Sequence, residues 1–159
     1  MTLRIQALYH TGFIVADLER SVAFYRDLLG MCVERPPTEI VGEWISGVVG
    51  YQGARIKSAF VGIGDGHSIE LIQYLTPYPG PSAGADRNRI GAAHAGMLVD
   101  DVRAWYDRLR AAGVTVTGPP MLRDVAFPWA RYAIYFQDPD GNWLEFAERG
   151  PKPAGSLAN

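Results

Sequence analysis

The sequence predicts an α+β protein made of two copies of one strand, helix and hairpin unit. Three observations predict it. The pattern H-x-G-x-x-V-x-D-[LV] occurs twice, as HTGFIVADL from His10 and HAGMLVDDV from His94. Asp65-Gly66 and Asp140-Gly141 each precede a glutamate by the same interval, in DGHSIE and DGNWLE. Each histidine stretch leads into a segment of helical character that a glycine ends, Gly30 in the first half and Gly113 in the second.

Taken in order, residues 5–15 alternate as a strand does, and residues 18–29 form a helix with Leu18, Val22, Tyr25 and Leu29 on one apolar stripe. Asp17 is placed to cap that helix. Residues 55–63 and 68–74 are strands flanking the turn Gly64-Asp65-Gly66-His67. The second half repeats the order with a strand at 92–99, a helix at 102–112, a short strand at 114–117 and a hairpin turning at 138–142. Two stretches resist regular structure: 35–53, with its paired prolines and Trp44, and 118–130, with Phe127 and Trp129. Long loops that carry aromatics often wall a substrate site, and such rings equally often plug the ends of a sheet. One domain, 1–148, therefore consists of modules 5–75 and 90–148, joined by the Pro- and Gly-rich linker 76–89 and followed by a loose tail at 149–159.

Composition excludes several classes. At 159 residues, 48% apolar and 20% charged with a formal net charge of -2, the chain has no basic excess for nucleic acid and no apolar run that spans a bilayer. The start, MTLRIQALYH, lacks a secretory signal, so cytoplasm is the expected location. Cys32 is the only cysteine, which rules out an intrachain disulfide and suits a reducing compartment.

Each half supplies one histidine and one glutamate at matching positions: His10 and Glu70, His94 and Glu145. Side chains alternate across a strand, so His10 shares its face with Leu8, Gly12 and Ile14, and His94 with Ala92, Gly96 and Leu98. Small neighbours leave space beside the imidazoles. Glu70 shares its face with Ser68 and Ile72, and Glu145 with Trp143 and Ala147. Carboxylates on a largely apolar sheet face are costly unless paired or metal-bound, and two together repel, a conflict that a divalent cation resolves. The third histidine, His67, sits in a turn and has Asn142 as its counterpart, so it is read as a surface residue. If both hairpins turn tightly at Asp-Gly, Val61 stands opposite Glu70 and Phe136 opposite Glu145, with Lys57 and Tyr132 on the same face as candidate substrate contacts. A slip of one residue would exchange the faces.

The stretches HTGFIVADLERSVAFYRDLLGM, SIELIQY and YFQDPDGNWLEFAE, with the second histidine strand, resemble the vicinal oxygen chelate superfamily. That superfamily includes glyoxalase I, methylmalonyl-CoA epimerase, extradiol dioxygenases and the fosfomycin and bleomycin resistance proteins. The resemblance covers residues 5–148. It implies two tandem βαβββ modules forming a curled mixed sheet around a metal-containing cavity, with His10, Glu70, His94 and Glu145 as the metal ligands. The implied chemistry is chelation of adjacent substrate oxygens by one divalent ion acting as a Lewis acid, with Zn, Ni, Co, Mn and Fe(II) all compatible with the donors.

Glu70 matches a position where extradiol dioxygenases have no ligand, which favours proton transfer next to a carbonyl, as in an isomerase, epimerase or lyase, with Glu145 or Glu70 as base. An Fe(II) dioxygenase and a non-catalytic binding or resistance protein are the alternatives. Tyr51 stands where the epimerases carry a second catalytic glutamate; it cannot serve as a carboxylate base but can donate a hydrogen bond to an oxyanion. No set of basic residues for glutathione stands out, since Arg55, Arg123 and Arg131 read equally well as solvated edge residues. Trp44, Tyr51, Phe127 and Trp129 suggest an apolar or aromatic part of a small-molecule substrate. By analogy with the superfamily the chain forms a homodimer.

Overall fold

A computed structural model describes residues 3–80, 86–123 and 131–150. It divides into two units, Met1–Ala83 and Gly84–Asn159. Each has a four-stranded mixed sheet with a helix, and the fold class is α+β, as the repeat predicts.

In the first unit, β1 (His10–Ile14) leads to α1 (Leu18–Ala23), which continues as a π-helical turn, Phe24–Leu28. β2 (Cys32–Val41), α2 (Glu43–Val49), β3 (Arg55–Gly62) and β4 (Ser68–Thr76) follow, and the sheet order is β1-β4-β3-β2. β1 runs parallel to β4, whereas β2 and β4 both run antiparallel to β3. Asp17 caps α1 by accepting the Arg20 N–H at 3.1 Å, and Gly30, with φ of 76°, lets the chain leave the helix. Apolar residues on one sheet face, Phe13, Val15, Ile69 and Leu71, are buried along with Leu18, Val22 and Tyr25 of the helix.

The first strand is shorter than expected because β4 starts at Ser68, opposite His10, and residues 5–9 have no ladder partner. The expected loop at 35–53 is instead the second half of β2 and the helix α2. Pro36 and Pro37 are tolerated because β2 is an edge strand whose pairing is irregular between Arg35 and Thr38. Alpha2 packs through Ile45 against Ala54 and Ile56, with Ile72 and Tyr74 alongside, and so covers one end of the sheet face that carries Glu70.

The second unit contains β5 (His94–Val99), α3 (Val102–Ala111), β6 (Met121–Leu122), β7 (Tyr132–Gln137) and β8 (Trp143–Glu148), in the order β5-β8-β7-β6. The strand expected at 114–117 is reduced to one bridge, Val116 to Phe136, and β6 falls within the stretch read as irregular. Val102 and Leu109 of α3 are buried with Ile134, Phe136, Leu144 and Phe146, and the Trp105 and Phe146 rings lie 4.9 Å apart. Among the described residues no helix is long and apolar enough to cross a membrane.

The repeat extends to a detail of helix docking. Three residues after Glu70, Gln73 accepts the Leu18 N–H at 3.3 Å and donates to the Ala16 carbonyl at 2.9 Å. Three residues after Glu145, Glu148 accepts the Val102 N–H at 3.2 Å. Each sheet thus holds the first turn of its own helix, satisfying an N–H that the helix cannot. Gln73→Ala is expected to lower stability by about 1–2 kcal/mol in urea unfolding, the scale of a lost cap.

Candidate metal centre

The two histidine and glutamate pairs form, each within its own unit. His10 Nε2 lies 3.2 Å from Glu70 Oε2, and His94 Nε2 lies 3.1 Å from Glu145 Oε2. Strand register explains both. Gly12 stands directly across from Glu70, and Gly96 directly across from Glu145. With no side chain opposite, each carboxylate leans along the partner strand to the imidazole two residues earlier. A Cβ built on Gly96 would come 3.8 Å from Glu145 Oε2, so the branches of a valine would crowd it. Gly96→Val should therefore keep the sheet, where valine is at home, and lower metal affinity by about tenfold or more in a zinc titration.

All four side chains are part-exposed, Glu70 at 16% and Glu145 at 23% being the more enclosed partners of His10 and His94. Glu70 is also held by Ser58, whose hydroxyl donates to Oε1 at 2.7 Å. In the second unit the Tyr135 hydroxyl lies 3.2 Å from His94 Nε2. Its pKa is raised, first by burial and then by the charge and hydrogen bonding of Glu145, with Arg87 opposing. Within each unit, no third His, Cys, Asp or Glu joins the pair among the described residues.

The hairpin register differs by one residue from that expected. Phe60, not Val61, stands opposite Glu70, and Tyr135, not Phe136, opposite Glu145. Both turns hold an odd number of residues: Gly62 pairs with Ser68 and Gln137 with Trp143, leaving 63–67 and 138–142 between. Asp138 sets the longer loop in the second unit. Its Oδ1 accepts the N–H groups of Asp140 and Asn142, and its Oδ2 the Asn142 amide. In the first unit Asp65 accepts the His67 N–H, and Glu34 accepts the Gly64 N–H.

The consequence falls on the expected substrate contacts. Lys57, opposite Gln73, and Tyr132, opposite Glu148, lie on the helix side of their sheets. Phe136 is fully buried in the core, 4.6 Å ring to ring from Phe146. The positions beside the glutamates belong instead to Ser58, Phe60 and Tyr135, which the expected register had turned away. Tyr51 and Trp44 are exposed. Tyr51 meets the Tyr74 ring edge-on at 6.1 Å, and Tyr74 shares the sheet face of Glu70; its pKa is raised chiefly by burial and further by Tyr51 and Glu70. His67 is exposed and bonds Thr11 at 3.0 Å. Trp129 and Phe127 lie outside the described residues, as do parts of the linker and of the tail.

Two strand, helix and hairpin units, each presenting a histidine paired with a glutamate on one sheet face, define a duplicated-module protein with nitrogen and carboxylate donors. The chain belongs to the Glyoxalase/Bleomycin resistance protein/Dioxygenase superfamily, whose family description matches residues 7–146. It is 31% identical over 153 residues to a lactoylglutathione lyase of Haemophilus influenzae, covering 93% of this chain and 96% of that protein. It is 29% identical to the uncharacterized protein YwbC of Bacillus subtilis, covering 88% of this chain and 95% of that one. A glyoxalase family protein from Bacillus cereus has the same fold, with a TM-score of 0.81 at 21% identity, covering 94% of this chain and 97% of that chain.

Proposed function

We propose that the chain is a metal-dependent lyase or isomerase of the glyoxalase kind, moving a proton on the carbon next to a carbonyl of a small oxygenated substrate. The observation that carries this reading is the pair of His–Glu contacts, at 3.2 and 3.1 Å, each seated across from a glycine in its own unit. The likeness to relatives named lactoylglutathione lyase supports the reaction class. His10 with Glu70, and His94 with Glu145, are assigned as metal-ligating pairs, one in each unit. Imidazole nitrogens and carboxylate oxygens suit Zn, Ni, Co, Mn or Fe(II). When bound, such an ion supplies Lewis-acid stabilisation of negative charge developing on substrate oxygen.

The protein's own groups divide the remaining work. One of the two glutamates takes the proton from carbon and returns it to the neighbouring carbon. The Ser58 hydroxyl fixes one oxygen of Glu70, and the Tyr135 hydroxyl is placed to donate beside His94. Tyr51 and Trp44 supply apolar surface at the end covered by α2. A homodimer in the cytoplasm is the expected form.

The test is product analysis in heavy water. Incubation with a hemithioacetal of methylglyoxal should yield a hydroxy thioester, with solvent deuterium entering the product to the extent that the base exchanges its proton. Oxygen consumption with a catechol on the iron-loaded protein, without hemithioacetal turnover, would assign a dioxygenase instead.

A further inference from the structure

We infer that Glu34 is a positioning residue for the first His–Glu pair, acting on His10 through the Ser68 hydroxyl; the inference rests on the proposed metal-ligating role of that pair. In the ladder Gly62 pairs with Ser68 and Ser68 with His10, so the three stand in one row across β3, β4 and β1. Glu34 joins the row from β2. The register is irregular between Val33, across from Val61, and Arg35, across from Phe60, and this bulge brings Glu34 onto the face that carries Ser68, Phe60 and Glu70. Its carboxylate spans Gly62, with Oε2 accepting the Ser68 hydroxyl at 2.5 Å and Oε1 the Gly64 N–H at 3.2 Å.

Gly62 is what admits the carboxylate. A Cβ built there would lie 2.3 Å from Glu34 Oε1 and 2.7 Å from its carboxyl carbon, so any larger residue displaces it. Gly12 and Gly96 clear the same kind of space for Glu70 and Glu145. The second unit fills the corresponding row differently: Trp143 stands across from His94 and Gln137 across from Trp143, and the Gln137 amide donates back to the Gly141 carbonyl at 3.2 Å. The clasp therefore belongs to the first pair and not to the repeat.

The chemistry of a hydroxyl explains what the clasp does. Serine has one side-chain proton and an ionised carboxylate only accepts, so Glu34 fixes that proton on its own side of Ser68. Ser68 is buried, and its strand neighbour carrying His10 runs about 4.8 Å away, the ordinary spacing of paired strands. The hydroxyl oxygen is left presenting lone pairs toward the imidazole, whose Nε2 lies 3.2 Å from Glu70 Oε2. A carboxylate held one hydroxyl away from a ligand histidine orients the ring and strengthens cation binding, as outer-shell partners do.

The experiment is a zinc titration of the full chain, read beside a thermal melt and the imidazole nitrogen resonances of the metal-free protein at about pH 8, where histidine is ordinarily neutral. Glu34→Gln keeps the shape and the bond to Gly64 but donates to Ser68, which turns the hydroxyl proton toward His10. Zinc affinity should fall about tenfold or more, the cost of losing an outer-shell partner, while the melt stays within a few degrees of the parent. The His10 nitrogens should shift and those of His94 should not. Gly62→Ala, which displaces the carboxylate, and Ser68→Ala should each reproduce the loss, and Glu34→Gln added to Ser68→Ala should cost little more. Unchanged zinc affinity and His10 resonances in Glu34→Gln, or equal shifts of His10 and His94, would overturn the inference. So would a lowered melt with His10 undisturbed, the mark of a turn clasp alone. A parent that binds no zinc defeats the proposed function instead, and the nitrogen resonances then decide whether Glu34 positions His10.

Discussion

Replacing Glu145 with glutamine is expected to lower metal affinity more than about 100-fold, beyond what loss of an outer-shell partner costs, and to remove hemithioacetal turnover with it. Glutamine has nearly the shape of glutamate but neither its charge nor its second acceptor oxygen, so the change isolates donor chemistry from packing. Glu145 is part-exposed and its neighbours Leu144 and Phe146 make the core, so the metal-free variant should unfold within a few degrees of the parent. Metal content after dialysis, read beside a thermal melt, checks both halves. Full metal retention in the variant would remove Glu145 from the ligand set.

The second large effect lies in the core. Phe136→Ala should destabilise the protein by about 3–5 kcal/mol in denaturant unfolding, the usual cost of emptying a buried phenylalanine site. Phe136 is 0% exposed and packs on Phe146 beneath α3, on the side of the sheet away from Glu145. Its neighbour Tyr135 gives the contrast. Tyr135→Phe keeps the ring that meets His94 at 4.9 Å and removes only the hydroxyl, so its effect should appear in turnover with little change in stability. The reverse outcome, a folded Phe136→Ala with altered turnover, would restore the tight-turn register.

Much of the site could be read from the chain because strand geometry has period two. Once His10, Glu70, His94 and Glu145 were placed in strands, alternation alone predicted which neighbours share their faces, and the buried Phe13, Leu71, Leu144 and Phe146 lie opposite, as alternation requires. Alternation within a strand says nothing about which residue lies across from it. That depends on the number of residues in the turn, where one more exchanges the faces of the whole partner strand. Asp138, folding back to bond Asp140 and Asn142, lengthens its loop in a way that the Asp-Gly pair did not suggest.

The paired prolines and Trp44 misled for a related reason. Proline argues against a central strand, and nothing local says that β2 lies at a sheet edge, where Pro36 and Pro37 are tolerated.

The sequence by itself determined the duplication, the α+β class and the sheet face on which His10, Glu70, His94 and Glu145 stand, because these follow from repeats and from periodicity along one strand. Only the tertiary structure decided the register that sets Phe60 and Tyr135 opposite the glutamates and the place of β2 at a sheet edge. Those are relations between segments distant in the chain, set by loop length and by which edges meet, and no local spacing encodes them.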